Sequence, residues 1–273
     1  MLVEDGGMAA SETGPAQRMF PGAELERMTG LTIERTFIPL GFSHWLILLL
    51  VAAGAVLLVW LGRALRGTRA EESLARGFAI VLLAYAGTML IVRMLPARWN
   101  IDLSLPLHVS DLTWMVAVYA LWTRSRWAFA LTYYWGLTLN PQAMITPAVR
   151  PGFPDLAFID FWLQHALVVW AAVYLTWGLG LRPDWAAFRT AVACTLGWAV
   201  VVFCFNVAAG TNYGFLNAKP VNPSALDLMG PWPWYLAVEL VVVLALWALI
   251  TWPWTRTRKT GQQNLMLGPG GQR

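Results

Sequence analysis

Three side chains able to do chemistry crowd the start of one apolar stretch. His108, Ser110 and Asp111 lie in Leu-Pro-Leu-His-Val-Ser-Asp, residues 105–111, and the apolar run continues to Trp122. On a helix, His108 and Asp111 share a face, and Ser110 stands about 100° round from Asp111. A hydroxyl, an imidazole and a carboxylate suit attack on an ester carbonyl: the imidazole takes the hydroxyl proton and the carboxylate orients the imidazole. A second imidazole, His165, follows Asp160 and Gln164 in another apolar run. Ionisable groups inside a bilayer cost roughly 2.5–3.5 kcal/mol each on insertion scales. Such residues need partners or a task, and the helices around them decide which.

Composition sets the class. The 273 residues are 58% hydrophobic and only 12% charged, well below the roughly 25% charged of a soluble domain. Long apolar runs then predict an all-α, polytopic membrane protein. The net charge of +4 lies in short loops and a basic tail rather than in a patch for nucleic acid, so no nucleic-acid partner is expected. No metal-ligand spacing, dinucleotide fingerprint or phosphate loop occurs, so neither metal nor cofactor is expected. Cys194 and Cys204 are too far apart along one helix to pair, about 15 Å, and read as buried small apolar residues.

Seven spans are expected, at about 42–62, 76–95, 105–122, 127–146, 159–179, 186–208 and 233–252. Residues 1–36 read as a mobile polar extension without the features of a signal peptide. Residues 37–254 form the seven-helix domain and 255–273 a basic tail. Arg63, Arg66, Arg69, Arg124, Arg126, Arg182, Arg256, Arg258 and Lys259 fall on one side. Arg98, Arg150 and Lys219 fall on the other. The positive-inside rule puts the N-terminus outside and the C-terminus in the cytoplasm, in a plasma membrane. Most of the 17 tryptophans fit an aromatic belt, with Arg93 and Arg98 as interface anchors.

On this topology the polar residues form one layer. His44, the 108–111 group, Asn140 and Gln142, Asp160 with Gln164 and His165, Asn206, and Glu239 all fall in the outer half of their spans. The inner half is almost pure Leu, Val, Ala and Trp. Lipid does not tolerate such groups facing outward, so a polar pocket reachable from outside is predicted. Gly210–Gly214, with Asn212 and Tyr213, can roof it, and the amides of Asn140 and Gln142 or of this turn can bind an oxyanion. His108, Ser110, Asp111 and His165 are the candidate catalytic residues. His44, Asn140, Gln142, Gln164, Asn206, Asn212, Tyr213 and Glu239 are the candidate binding residues.

Five stretches carry a family likeness: 105–111, Tyr-Trp-Gly-Leu-Thr-Leu-Asn-Pro-Gln-Ala-Met-Ile-Thr-Pro (134–147), Phe-Trp-Leu-Gln-His (161–165), Gly-Thr-Asn-Tyr-Gly-Phe-Leu (210–216) and Gly-Pro-Trp-Pro-Trp-Tyr (230–235). They resemble the YwaF-type bacterial integral membrane proteins, a family similar to eukaryotic transmembrane protein 164. The resemblance implies a phospholipid acyltransferase using a cysteine and a histidine. More distantly, it implies a lipid-ester hydrolase using a threonine and a histidine. His165 would then be the histidine, with the nucleophile near His108. A cysteine often stands at the position of Ser110 in the bacterial pattern; here it is serine, with Thr113 the other hydroxyl nearby. The expected partners are membrane lipids, one of them an acyl donor. Two other readings stay open: a small-ligand binding or proton-coupled transport protein, and a structural membrane subunit without catalysis. The oligomeric state is not legible.

Overall fold

The computed structural model describes residues 36–147, 149, 151–220 and 224–266, with side chains as far as Arg256. The expected N-terminal extension up to Arg35, Arg150 and the end of the tail lie outside the described residues. Among those residues there is no strand; Thr36 and Pro151 form an isolated antiparallel bridge. Eight helices follow in order: α1 (Phe42–Ala64), α2 (Arg69–Met94), α3 (Val109–Thr123), α4 (Arg126–Tyr134), α5 (Asn140–Ile145), α6 (Leu156–Val173), α7 (Trp185–Ala209) and α8 (Trp234–Met266). A π-helical turn at Trp135–Leu139 joins α4 to α5, and another at Tyr174–Gly178 extends α6.

Among the described residues, five segments are long and apolar enough to cross a membrane: α1, α2, Leu156–Gly178, α7 and Trp234–Arg256. The other two expected spans are helical but differ in kind. α3 has 15 residues, about 22 Å, less than the roughly 30 Å of a hydrocarbon core. The stretch 126–145 is a rod interrupted by its π turn.

Local chemistry explains the boundaries. α2 begins seven residues before its expected start because Thr68 caps it, accepting from Glu71 N at 3.3 Å, while Gly67 N donates to Glu71 Oε2 at 2.5 Å. α3 ends at Arg124 in the left-handed region, and Ser125 starts α4 at once, which makes the two helices antiparallel neighbours. Pro141 has no N–H to donate, and the π turn directly precedes it.

The α6 rod is central. Half of its most apolar stretch is buried, against 6% in α1. Small residues let the helices approach closely. A Cβ on Gly62 of α1 would lie 2.7 Å from Gly178 Cα, and one on Gly136 would lie 3.0 Å from Ala172 Cβ. Ala79 and Ala86 of α2 and Ala117 and Ala120 of α3 are likewise buried in the core.

The half expected to be almost purely apolar is not. Glu71 is buried and paired with Arg124 at 2.9 Å. Tyr134 Oη lies 2.6 Å from Thr251 Oγ1, Trp254 Nε1 donates to Tyr133 Oη at 3.1 Å, and Tyr133 Oη donates to Ile250 O at 3.0 Å. These polar groups have partners across the helix interface, which offsets the cost of leaving water.

Candidate functional site

A cavity of about 550 Å³ lies among α3, the α4–α5 rod, α6, α7, the loop after α7, and α8. His108, Ser110, Asn140, His165 and Glu239 all line it. Five of the expected site residues, from four helical segments, therefore meet in one place. Much of the remaining wall is apolar, including Leu196, Val200 and Phe203 of α7 and Leu240 of α8. These four are also exposed, by 36–64%, so the α7–α8 wall faces both the cavity and the exterior of the bundle.

The two cavity histidines hold opposite tautomers. His165 Nδ1 lies 2.7 Å from Phe161 O. A carbonyl can only accept, so Nδ1 carries the proton and Nε2 keeps its lone pair. His108 Nδ1 lies 3.3 Å from Gly214 N. A backbone amide can only donate, so Nδ1 is the acceptor here and Nε2 carries the hydrogen. His165 can take a proton, and His108 can give a hydrogen bond. Neither Nε2 has a protein partner among the described residues.

Ser110 sits in the first turn of α3, just after His108 as N-cap. The N–H groups of Val109 and Ser110 have no partner within the helix, and both residues line the cavity. A helix N-terminus of this kind favours developing negative charge. Asn140 is buried and spends its Nδ2 on Trp135 O at 3.2 Å, inside the π turn, leaving Oδ1 without a protein partner. The Glu239 carboxyl also has none among the described residues.

The other predicted residues are elsewhere. Asp111 is not part of the wall: its Oδ1 takes Arg93 Nη2 at 2.6 Å, so no Ser–His–Asp chain forms and Arg93 is an ion-pair partner rather than an interface anchor. Thr113 donates to Val109 O at 2.6 Å within its own helix. His44 is fully buried, with Nδ1 accepting from Leu40 N at 2.8 Å and Nε2 donating to Met144 O at 2.9 Å. It ties the start of α1 to α5. Gln142 is exposed and Gln164 half-buried, and neither reaches the cavity.

Asn206, Asn212 and Tyr213 build the roof rather than the lining. Asn206 Oδ1 accepts from Thr211 Oγ1 and Tyr213 N, both at 2.8 Å, and its Nδ2 donates to Tyr213 O at 2.8 Å. Asn212 Oδ1 accepts from the N–H groups of Asn217 and Ala218 at 3.1 Å each. Tyr213 Oη accepts from Leu105 N at 3.1 Å and donates to Ile101 O at 2.5 Å. Burial pushes the Tyr213 hydroxyl above its usual range, and the Leu105 amide partly offsets that, so it stays protonated as that donor. Gly214, Phe215 and Leu216 then close over the cavity. Gly214 has φ +67°, and a Cβ there would meet the Trp198 ring at 2.5 Å.

The chain matches the model of the TMEM164 family over residues 39–251. The chain belongs to the TMEM164 family. That agrees with the likeness to transmembrane protein 164 carried by the motifs, and the matched range contains every residue of the cavity. No curated protein and no solved structure matches the chain.

Sequence reasoning missed three contributors. Trp198 lines the cavity and donates to Leu107 O at 2.9 Å, fixing the 105–111 stretch; its mid-helix position set it apart from a belt residue. Thr195 accepts from Trp135 Nε1 at 2.9 Å at the wall. Cys204 also lines the cavity, and both cysteines are exposed rather than buried. Their face of α7 points away from the bundle's core.

Proposed function

We infer that this TMEM164-family membrane protein transfers or hydrolyses acyl groups of phospholipids at the cavity. The observation that carries the reading is the pair of histidines with opposite tautomers on a largely apolar cavity beside Ser110. The apolar wall and its exposed α7–α8 side suit an acyl chain arriving from the bilayer, whereas a small polar ligand would gain little there.

Ser110 Oγ attacks the ester carbonyl carbon and its proton passes to His165 Nε2. The N–H groups at the start of α3 and His108 Nε2–H stabilise the oxyanion. As the carbon–oxygen bond to the glycerol breaks, His165 returns the proton to the leaving alcohol. A second lipid alcohol, or water, then attacks the acyl-serine by the same route in reverse. Phe161 O orients the base in place of a carboxylate.

In the same reading the bundle has seven spans, α3 and the 126–145 rod completing the five apolar ones. The N-terminus is outside and the basic end cytoplasmic, in the plasma membrane. The test is a purified-protein assay with a labelled phospholipid and a lysolipid acceptor. Wild type should yield transferred acyl chain or free fatty acid, and Ser110→Ala and His165→Ala should lose it. Wild-type protein that binds the phospholipid but never turns it over would leave a lipid-binding protein instead.

A further inference from the structure

A second cavity, of about 240 Å³, lies at the opposite, basic end of the bundle. It is lined by Arg124, Arg126, Arg182, Gly180, Leu181 and Phe129. Three guanidinium groups around one hollow repel each other unless an anion joins them. A fourth stands beside it: a Cβ on Gly180 would lie 3.2 Å from the Arg66 guanidinium carbon.

The neighbouring charges decide what the hollow lacks. Arg66 is engaged with the last carbonyls of the α6 rod, its Nε donating to Gly178 O at 3.2 Å. Arg124 is paired with Glu71. Arg126 and Arg182 have no protein partner among the described residues, and both are exposed. Asp184 caps α7, accepting from Ala187 N at 2.9 Å. Of the four cations, Arg124 is paired with a buried carboxylate, and Arg126 and Arg182 have no protein partner among the described residues.

The backbone adds donors. Ser125, between Arg124 and Arg126, holds a buried hydroxyl with no partner. The first N–H groups of the nine-residue α4 are unbonded within the helix, Phe129 N being the first to reach back to Ser125 O at 2.9 Å.

We propose that this hollow is a phosphate-binding site for an anionic membrane phospholipid. Arg126 and Arg182 grip the phosphate oxygens, for which the planar guanidinium fork is well matched. Phe129 and Leu181 receive the glycerol end of the acyl chains. Exposed Trp127 follows Arg126 and exposed Trp185 lies three residues after Arg182, and such aromatic rings mark the headgroup level. The site is separate from the first cavity: Arg126 and Asn140 are fourteen residues apart along one rod, about 21 Å. The proposal therefore does not depend on any acyl chemistry.

The test is native mass spectrometry of the full-length protein released from micelles containing phosphatidylglycerol or phosphatidylcholine, with and without inorganic phosphate. Phosphatidylglycerol should be retained over phosphatidylcholine, and Arg126→Gln/Arg182→Gln should weaken retention on the order of tenfold. Neither side chain makes a protein bond that the substitution would remove. Arg69→Gln/Arg256→Gln, with the same charge change outside the hollow, should behave as wild type. Displacement by millimolar phosphate, with phosphate adducts lost in the Arg126/Arg182 variant, would identify free phosphate as a ligand of the same site. Equal retention in the Arg126/Arg182 variant and wild type, or an equal loss in both double variants, would overturn the proposal.

Discussion

Arg93 Nη2 approaches Asp111 Oδ1 to 2.6 Å, and the Asp111 side chain is only 2% exposed while that of Arg93 is 34% exposed. The pair joins the end of α2 to the start of α3. Ser104 reinforces it, donating from Oγ to Arg93 O at 2.9 Å. Asp111 Oδ2 and Arg93 Nε are buried without protein partners among the described residues. The most conspicuous carboxylate of the sequence thus holds two helices together beside the cavity rather than inside it.

Asp111→Ala should lower stability by about 2–3 kcal/mol. That is less than the roughly 3–5 of a fully buried pair, because Arg93 is partly solvated. Thermal unfolding in detergent measures the loss. Turnover per folded molecule should stay within a few fold of wild type. A hundredfold drop in turnover with unchanged stability would instead give Asp111 a part in the chemistry.

His165→Gln should cut phospholipid turnover by about 10²–10⁴, the range for loss of a general base, with the unfolding midpoint little changed. His44→Ala should do the opposite. It removes two buried hydrogen bonds, to Leu40 N and Met144 O, and should cost roughly 2 kcal/mol with turnover per folded molecule preserved. Parallel assays of the two variants separate the imidazole that reacts from the one that fastens.

Ser110→Ala and Cys204→Ala test the nucleophile directly. Both residues line the cavity, but only Ser110 stands at a helix N-terminus. Ser110→Ala should abolish turnover and Cys204→Ala should leave most of it. Ser110→Cys should retain a thioester-forming enzyme detectable by mass spectrometry. A lipid-soluble maleimide at Cys204 should block wild-type turnover by filling the cavity and spare the Cys204→Ala protein. Turnover surviving Ser110→Ala but not Cys204→Ala would move the reaction to the thiol.

Gly214→Ala should displace the roof. The new methyl would sit 2.5 Å from the Trp198 ring at a φ of +67°, a conformation that disfavours side chains. The Gly214 amide would leave His108 Nδ1. A loss of about 1–3 kcal/mol in stability, with turnover falling as well, is the expected outcome. An alanine variant indistinguishable in both assays would show the roof to be dispensable.

The membrane class and the helix order were legible because long apolar runs and interrupting arginines carry them. The meeting of His108, Ser110, Asn140, His165 and Glu239 was legible because polar groups in apolar segments must face one another. What the sequence withheld was the division of labour. Asp111 and Arg93 are eighteen residues apart on different helices, and no spacing rule links them. His44 carries the same chemistry as His165, yet both its nitrogens are used by backbone groups, one from the preceding turn and one a hundred residues away. The cavity wall from α7 was hidden because a helix apolar all round gives no face to read, so Cys204 was indistinguishable from lipid-facing neighbours.

The π turn at Trp135–Leu139 behaves as a one-residue insertion. It sets everything beyond it back by about 100° of rotation relative to an uninterrupted α-helix of the same residues. Below it, Tyr133 and Tyr134 address Ile250 and Thr251 of α8; above it, Asn140 and Ala143 address the cavity. One rod thereby serves two clients that a regular helix would have to serve from a single phase. Excising one residue between 135 and 139 would close the turn to a regular α-turn and keep both faces, whereas winding the same residues as an uninterrupted α-helix would swing Asn140 off the cavity while the tyrosines kept their hold on α8.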